Sequence, residues 1–277
     1  MRPIITFTLL AGLFFSCEEA TKLDLKQTPP RIVIEGLVTD RPGFQSVKVS
    51  RSSAFYSSGK SPRVEDAIVS VFDDAGHEFN FVHNPRNHAD SAGIYVPETG
   101  FTGEVGRTYT LRVEADGQVY QGSDALPGVI AIDSLKFRIN EEEEKDPKEP
   151  GKVYEVLMYA REPQDEENYY LFRFYRNDSL KVYNPTDIYF TQDDLLAENI
   201  DGVPSPVYFA PNDRAKIEVY SLTRRGYVFY NDLSIILTND GGGMFGPIPA
   251  SPRNNLTNGA LGFFQVSAVR ESETVIE

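Results

Sequence analysis

The chain of 277 residues has a single cysteine, no tryptophan and three histidines. One thiol, Cys17, excludes an internal disulfide, so a folded body must stand on its core alone. The longest apolar run, residues 4–15, is shorter than the ~20 residues a membrane-spanning helix needs. Basic charge is also scarce. Twenty-seven Lys and Arg against 41 Asp and Glu leave a formal charge of −14, which repels phosphate backbones and argues against a nucleic-acid partner. No Gly-x-Ser-x-Gly elbow appears, and the glycine-rich "DGGGMFGP" lacks the Gly-Lys-Ser/Thr of a phosphate-cradling loop.

What is present favours strands. Phe and Tyr number 18 and 15, and together with abundant Val, Ile and Thr they give a mainly β expectation. The amino terminus reads differently: Arg2, the apolar stretch 4–15 and small Ser16 before Cys17 have the layout of a secretory signal. "Phe14-Phe15-Ser16-Cys17" resembles the lipobox of bacterial lipoproteins, with Phe14 in place of the usual Leu, and the resemblance implies acylation of Cys17. The plain alternative is an ordinary signal peptide with an incidental cysteine. Two or three acyl chains anchor stably where one is marginal. Glu18 and Glu19 partly match the acidic residues that direct some Bacteroidota lipoproteins to the outer face of the outer membrane, against a periplasm-facing tether. Loss of residues 1–16 removes Arg2 and makes the chain one unit more negative.

Residues 17–30 read as a polar tether linker ending in Pro29-Pro30. Between 31 and 128, alternating stretches suggest seven or so short strands of a β-sandwich, with an irregularity at Gly36 and a type I′ turn at Asp116-Gly117. Residues 129–277 suggest a second β-rich domain with one helix, 223–237, whose stripe holds Gly226, Phe229, Tyr230, Leu233, Ile236 and Leu237. The acidic run 141–150 reads as a solvated loop and "GALGFFQVSAVR" as one closing strand.

In order, "IVIEGLVTD", "VEDAIVSVFDDAG", "GRTYTLRV", "ALPGVIAIDSL", "NYYLFRFY", "GYVFYNDL" and "NNLTNGALGFF" resemble the Bacteroidota lipoproteins of the domain-of-unknown-function family 4249 (DUF4249). The resemblance spans nearly the whole mature chain. It implies an outer-membrane lipoprotein with an immunoglobulin-like or carboxypeptidase-regulatory-like sandwich first, and frequent association with TonB-dependent transporters. It implies no activity, cofactor or catalytic residue.

Candidate sites are few. His77, His83 and His88 with Asp90 are zinc-type ligands, but their spacing crosses a strand and a Pro-containing loop, and exposed loop histidines are the preferred reading. Asp193, Asp194, Asn199 and Asp201 are oxygen ligands suited to calcium, yet they fail the EF-hand template and read as a structural loop. No metal or cofactor is therefore expected. Gly241, Gly242 and Gly243 precede Met244 and Phe245, an apolar pair suited to partner contact. The triplets 90–92, 133–135 and 178–180 resemble the loose acceptor pattern for O-glycosylation in Bacteroidota. The expectation is a non-enzymatic accessory lipoprotein beside a transporter. Its alternatives are a carbohydrate- or protein-binding surface lipoprotein without a transporter and, behind that, a hydrolase.

Overall fold

The computed structural model describes residues 29–53, 61–84, 86–164, 166–184, 186–195, 198–238 and 251–277. Seven strands come first: β1 (Ile32–Thr39), β2 (Ser46–Arg51), β3 (Ile68–Asp73), β4 (Glu78–His83), β5 (Ile94–Pro97), β6 (Thr108–Ala115) and β7 (Gln118–Ala125). Next are β8 (Ile132–Ile139), α1 (Glu141–Lys145), β9 (Tyr154–Arg161), β10 (Tyr169–Arg176), β11 (Ser179–Leu180), β12 (Tyr189–Gln192), β13 (Asn199–Phe209) and β14 (Arg214–Leu222). The helix α2 (Arg224–Thr238) precedes β15 (Leu261–Ser267) and β16 (Val269–Val275). The fold is mainly β, as expected.

The first body is sandwich-like but built from one continuous sheet, in the order β15-β1-β2-β5-β4-β3-β6-β7. Its two halves share a single core, in which Ile34, Val47, Val71, Leu111 and Phe264 are fully buried. The ends of the sheet meet, because Gly122 bridges Leu256 and the Asn255 amide donates to Ser123 O and Phe264 O. Closure removes exposed strand edges. The expected irregularity at Gly36 is absent: β1 keeps register with β2 through it, and the Phe264 ring occupies the space a Cβ would need. Burial alternates on through Gly36 to Val38, and Leu37 faces outward toward the second body. The Asp116-Gly117 turn is as read, both residues having positive φ.

The second body stacks a three-stranded sheet, β13-β9-β8, on β11-β10-β14-β16, with β12 also pairing β10. Val156, Phe209, Val219 and Ile276 lie buried between them. The other face of β10 and β14 carries Tyr169, Leu171, Tyr220 and Leu222 against α2 and Leu37, so both faces of the aromatic strand β10 are covered.

Four further expectations need correction. The acidic run 141–150 is ordered: Asn140 caps α1 by accepting from the Glu142 and Glu143 amides, and Glu149 takes a bidentate pair from Arg176 at 2.9 and 2.8 Å. Capping and a buried guanidinium outweigh like-charge repulsion, giving a second α-helix. The closing stretch is two strands. Chain direction is held while the sheet changes at buried Ala268, where the Ser221 hydroxyl accepts from Ala268 N at 2.9 Å. The division at residue 128 is thereby crossed, since β15 pairs in parallel with β1 and completes the first sheet. Finally, Asn199 and Asp201 belong to strand β13, paired with β9, rather than to a loop.

The helix α2 begins within a residue of its expected start, and Thr223 Oγ1 accepts from Gly226 N at 3.3 Å. Gly226 is buried and Phe229, Tyr230 and Leu233 are half-buried, whereas Leu237 at the helix end is exposed.

Candidate functional site

Two of the clefts among the described residues bear on function. The first opens where β13 leaves its neighbour. Register breaks fall between Asp201 and Val203 and between Pro204 and Tyr208, and neither Pro204 nor Pro206 has an N–H to donate. The strand lifts, and a cleft of about 410 Å³ lies between it and β10 and β12. Its walls include Met158, Phe172, Phe174, Tyr189 and Val203, with the Phe174 and Tyr189 rings edge-to-face at 5.2 Å. Tyr189 and Thr191 alone among the described lining side chains carry a polar atom.

The second cleft, about 460 Å³, lies on the seam between the two bodies. Strands β1, β2, β5 and β15 form one wall, and α2 with Arg173 of β10 forms the other. Beneath it is a cluster of charges. Glu218 is almost fully buried; it accepts from Lys216 Nζ at 2.6 Å and from the Tyr175 and Tyr220 hydroxyls at 2.8 Å each. Burial pushes its carboxyl up, but the ammonium and the two phenols outweigh burial and hold it below the usual carboxylate range. Lys216 also reaches Glu271 at 3.6 Å, and Glu271 is paired with Arg41 at 2.7 Å. The Arg173 guanidinium lies 4.5 Å over the Tyr220 ring and donates to its hydroxyl at 3.2 Å. Glu218 stands opposite Arg173 in the strand register, yet its oxygens are already engaged. Among the described residues Arg173 makes no ion pair. The Tyr230 hydroxyl, pushed up to about 12 by burial, donates to Gln265 Oε1 at 2.6 Å.

Residues singled out in the sequence are scattered. Cys17, Met244 and Phe245 lie outside the described residues, as do Gly241, Gly242 and Gly243. The histidines do not converge. His77 Nδ1 is 2.8 Å from Asp73 Oδ2, His83 Nε2 accepts from Gly93 N at 2.9 Å, and His88 Nδ1 accepts from Asp90 N at 3.3 Å. Asp193 Oδ2 accepts from Asn168 N at 2.7 Å, and Asp194 meets Gln192 at 3.5 Å. Among the described residues no three His, Cys, Asp or Glu side chains gather as a metal would require. The triplets beginning at Asp90, Asp133 and Asp178 each have an exposed aspartate.

A model of the family described as "Domain of unknown function (DUF4249)" matches residues 18–273. The chain belongs to the DUF4249 family. No curated protein matches it. Within this DUF4249 chain, no helix among the described residues is long and apolar enough to cross a membrane.

The seam residues of the DUF4249 chain escaped the sequence reading. One signal was available: "NYYLFRFYR" places Arg173 among Tyr169, Leu171 and Tyr175 on a strand whose two faces both look covered. A cation in such a row needs a reason to be there. Its partner strand "RAKIEVYSL" places Lys216 and Glu218 among apolar residues in the same way.

Proposed function

We propose that this DUF4249 protein is a non-catalytic binding lipoprotein, held at the outer membrane by acylated Cys17 and acting as an accessory to a TonB-dependent transporter. The observation that carries the binding half of this reading is the composition of the cleft walls. Glycoside hydrolysis wants two carboxylates facing each other across the substrate. The cleft under β13 has none among its described lining residues, and the seam cleft has Glu35, ion-paired with Lys48 at 2.6 Å. Such walls hold a ligand without transforming it. The lipobox-like Phe14-Phe15-Ser16-Cys17 supports the tether, and the apolar pair Met244 and Phe245 supports partner contact. Bacteroidota origin and exposure at the cell surface belong to the same proposal.

The test is fractionation of cells expressing the full chain. Cys17→Ala is expected to shift the protein from membrane to soluble fraction, and mass spectrometry of the wild type is expected to find an acylated amino-terminal cysteine. Unchanged membrane retention of the variant overturns the tether. A second reading, a carbohydrate- or protein-ligand-binding lipoprotein without a transporter, is favoured by the aromatic side chains Phe172, Phe174 and Tyr189 in the first cleft. Cross-linking in intact cells separates the two: a β-barrel partner at one-to-one stoichiometry, lost in a Met244→Ser/Phe245→Ser variant, supports the transporter reading, and its absence supports the second.

A further inference from the structure

We propose that the seam cleft is a binding site for a small monocarboxylate carried on an apolar body, with the Arg173 guanidinium holding the carboxylate. This deepens the binding reading above and rests on it. Arg173 is one of three cations clustered here, with Arg41 and Lys216, against two carboxylates, Glu218 and Glu271. The cluster is therefore one unit positive inside a chain whose formal charge is −14. Both carboxylates are engaged elsewhere, Glu218 by Lys216 and two phenols and Glu271 by Arg41 and Lys216.

The geometry also fits a planar anion. A guanidinium has five N–H donors in a fixed fork, and among the described residues the hydrogen-bond partners of Arg173 are phenol oxygens, Tyr220 at 3.2 Å from Nη1 and Tyr175, with no carboxylate among them. The Tyr220 ring covers one of its faces at 4.5 Å, so a ligand in the cleft that Arg173 lines would meet the fork at its edge. Bidentate Arg–carboxylate pairing suits that edge, and a single excess positive charge matches a monoanion better than a phosphate dianion. Part of the cleft wall is apolar. The Phe229 and Phe263 rings stack at 4.9 Å, and Leu233 and Ile94 complete that part. At about 460 Å³ the cleft falls within the ~300–1,000 Å³ of ordinary small-molecule sites, which favour domain interfaces. The other charged lining residues, Glu35 and Lys48, neutralise each other and leave Arg173 the uncompensated charge of the lining.

The experiment is calorimetry on the purified mature protein, with 3-phenylpropionate, its uncharged amide and inorganic phosphate as probes. The acid is expected to bind, the amide to bind at least about tenfold more weakly, and phosphate not to displace the acid. Arg173→Met is expected to weaken the acid at least about tenfold while leaving the unfolding midpoint in place. Phe229→Ala is expected to weaken acid and amide alike. No binding of the acid, equal binding of acid and amide, displacement by phosphate, or unchanged affinity in a folded Arg173→Met protein overturns the proposal. If Arg173→Met fails to fold, the acid-to-amide ratio on the wild type decides. Membrane retention is read separately through Cys17→Ala, so loss of the tether and loss of this site are distinct results.

Discussion

Among the described residues of the first body the buried side chains are aliphatic, aromatic or uncharged polar, Ile34, Val71, Leu111, Tyr95, Phe264, Gln45 and Ser70 among them, and the buried charged residue is Asp124. In the second, Glu155, Glu162, Arg176 and Glu218 are buried alongside Tyr170, Val219 and Phe209. The first is thus held by burial and closure, the second by burial and charge pairing. Apolar burial is nearly indifferent to pH, whereas a paired buried carboxylate makes stability depend on its ionisation. Closure of the first body depends on β15, which arrives from beyond the second body, so the two are joined through strand pairing rather than through a linker.

The sharpest way to break the comparison is to prevent that closure. Gly262 has φ +95°, and a Cβ there would lie 2.0 Å from Ile34 O on the neighbouring strand. Gly262→Ala is expected to destabilise by more than about 3 kcal/mol, as strain and lost β1–β15 pairing combine. Chemical denaturation monitored by circular dichroism checks this, and a loss under about 1 kcal/mol would mean that β15 contributes little to the first body.

Acid titration is the next largest effect, and its sign differs between Asp124 of the first body and Glu149 of the second. Burial raises the Asp124 carboxyl to about 6, against hydrogen bonds from Thr223 Oγ1 at 2.7 Å and Val266 N at 3.2 Å. A carboxyl raised on folding binds protons in the native state first, so its contribution is fully present below its ordinary value of 3.8 and is lost as pH rises through about 6. The swing is about 2–3 kcal/mol, and Asp124→Asn should flatten it. In the second body Arg176 draws the Glu149 carboxyl down to about 2. Its contribution is present above 4.5 and is lost as pH falls through about 2. An Asp124→Asn variant whose profile between pH 6 and pH 4 matches that of the wild type would contradict the assignment of Asp124.

Removing the cation tests the second body directly. Arg176 is buried and donates to both Glu149 oxygens and to Tyr208 O at 2.7 Å. Arg176→Met should cost about 2 kcal/mol, below the ~3–5 kcal/mol for breaking a fully buried pair, because Glu149 remains partly in contact with solvent. It should also abolish the loss of stability below pH 4.5 that Glu149 supplies. Urea unfolding at pH 7 and pH 3 measures both, and a variant as acid-sensitive as the wild type would assign that loss elsewhere.

The same contrast explains what the sequence made legible. Strands β1 to β7 alternate with a period of two around one apolar core, so composition and turn residues suffice to find them. The helix α2 was legible for a similar reason, having a 3.6-residue stripe behind Thr223. In the second body the pattern fails where tertiary pairing decides. Pro204 and Pro206 argue against a strand that nevertheless pairs with β9, and the run of glutamates is ordered by Asn140 and by Arg176, one of them distant in sequence. The return of β15 to β1 has no local signature, since parallel pairing across more than two hundred residues leaves no turn to read. Arg173 belongs to the same class, its neighbourhood being assembled from both bodies.

The smallest effect concerns the two tightest hairpins, one in each body. Asp116-Gly117 joins β6 to β7 with φ of +52° and +73°; Asn177-Asp178 joins β10 to β11 with φ of +51° and +65°. Both use the left-handed pair a type I′ turn demands, but only the first places glycine at its second position. Gly117→Ala should therefore cost about 1 kcal/mol, although a Cβ there meets open space, because the cost is conformational. Asp178→Gly relieves about the same strain but gives up the exposed ion pair with Arg214, worth about 0.5 kcal/mol. The net change should lie within about 0.5 kcal/mol of zero. Denaturant midpoints of the two variants decide the matter: if Asp178→Gly stabilises by 1 kcal/mol or more, the pair with Arg214 contributes nothing, and charge pairing in the second body is confined to its buried groups.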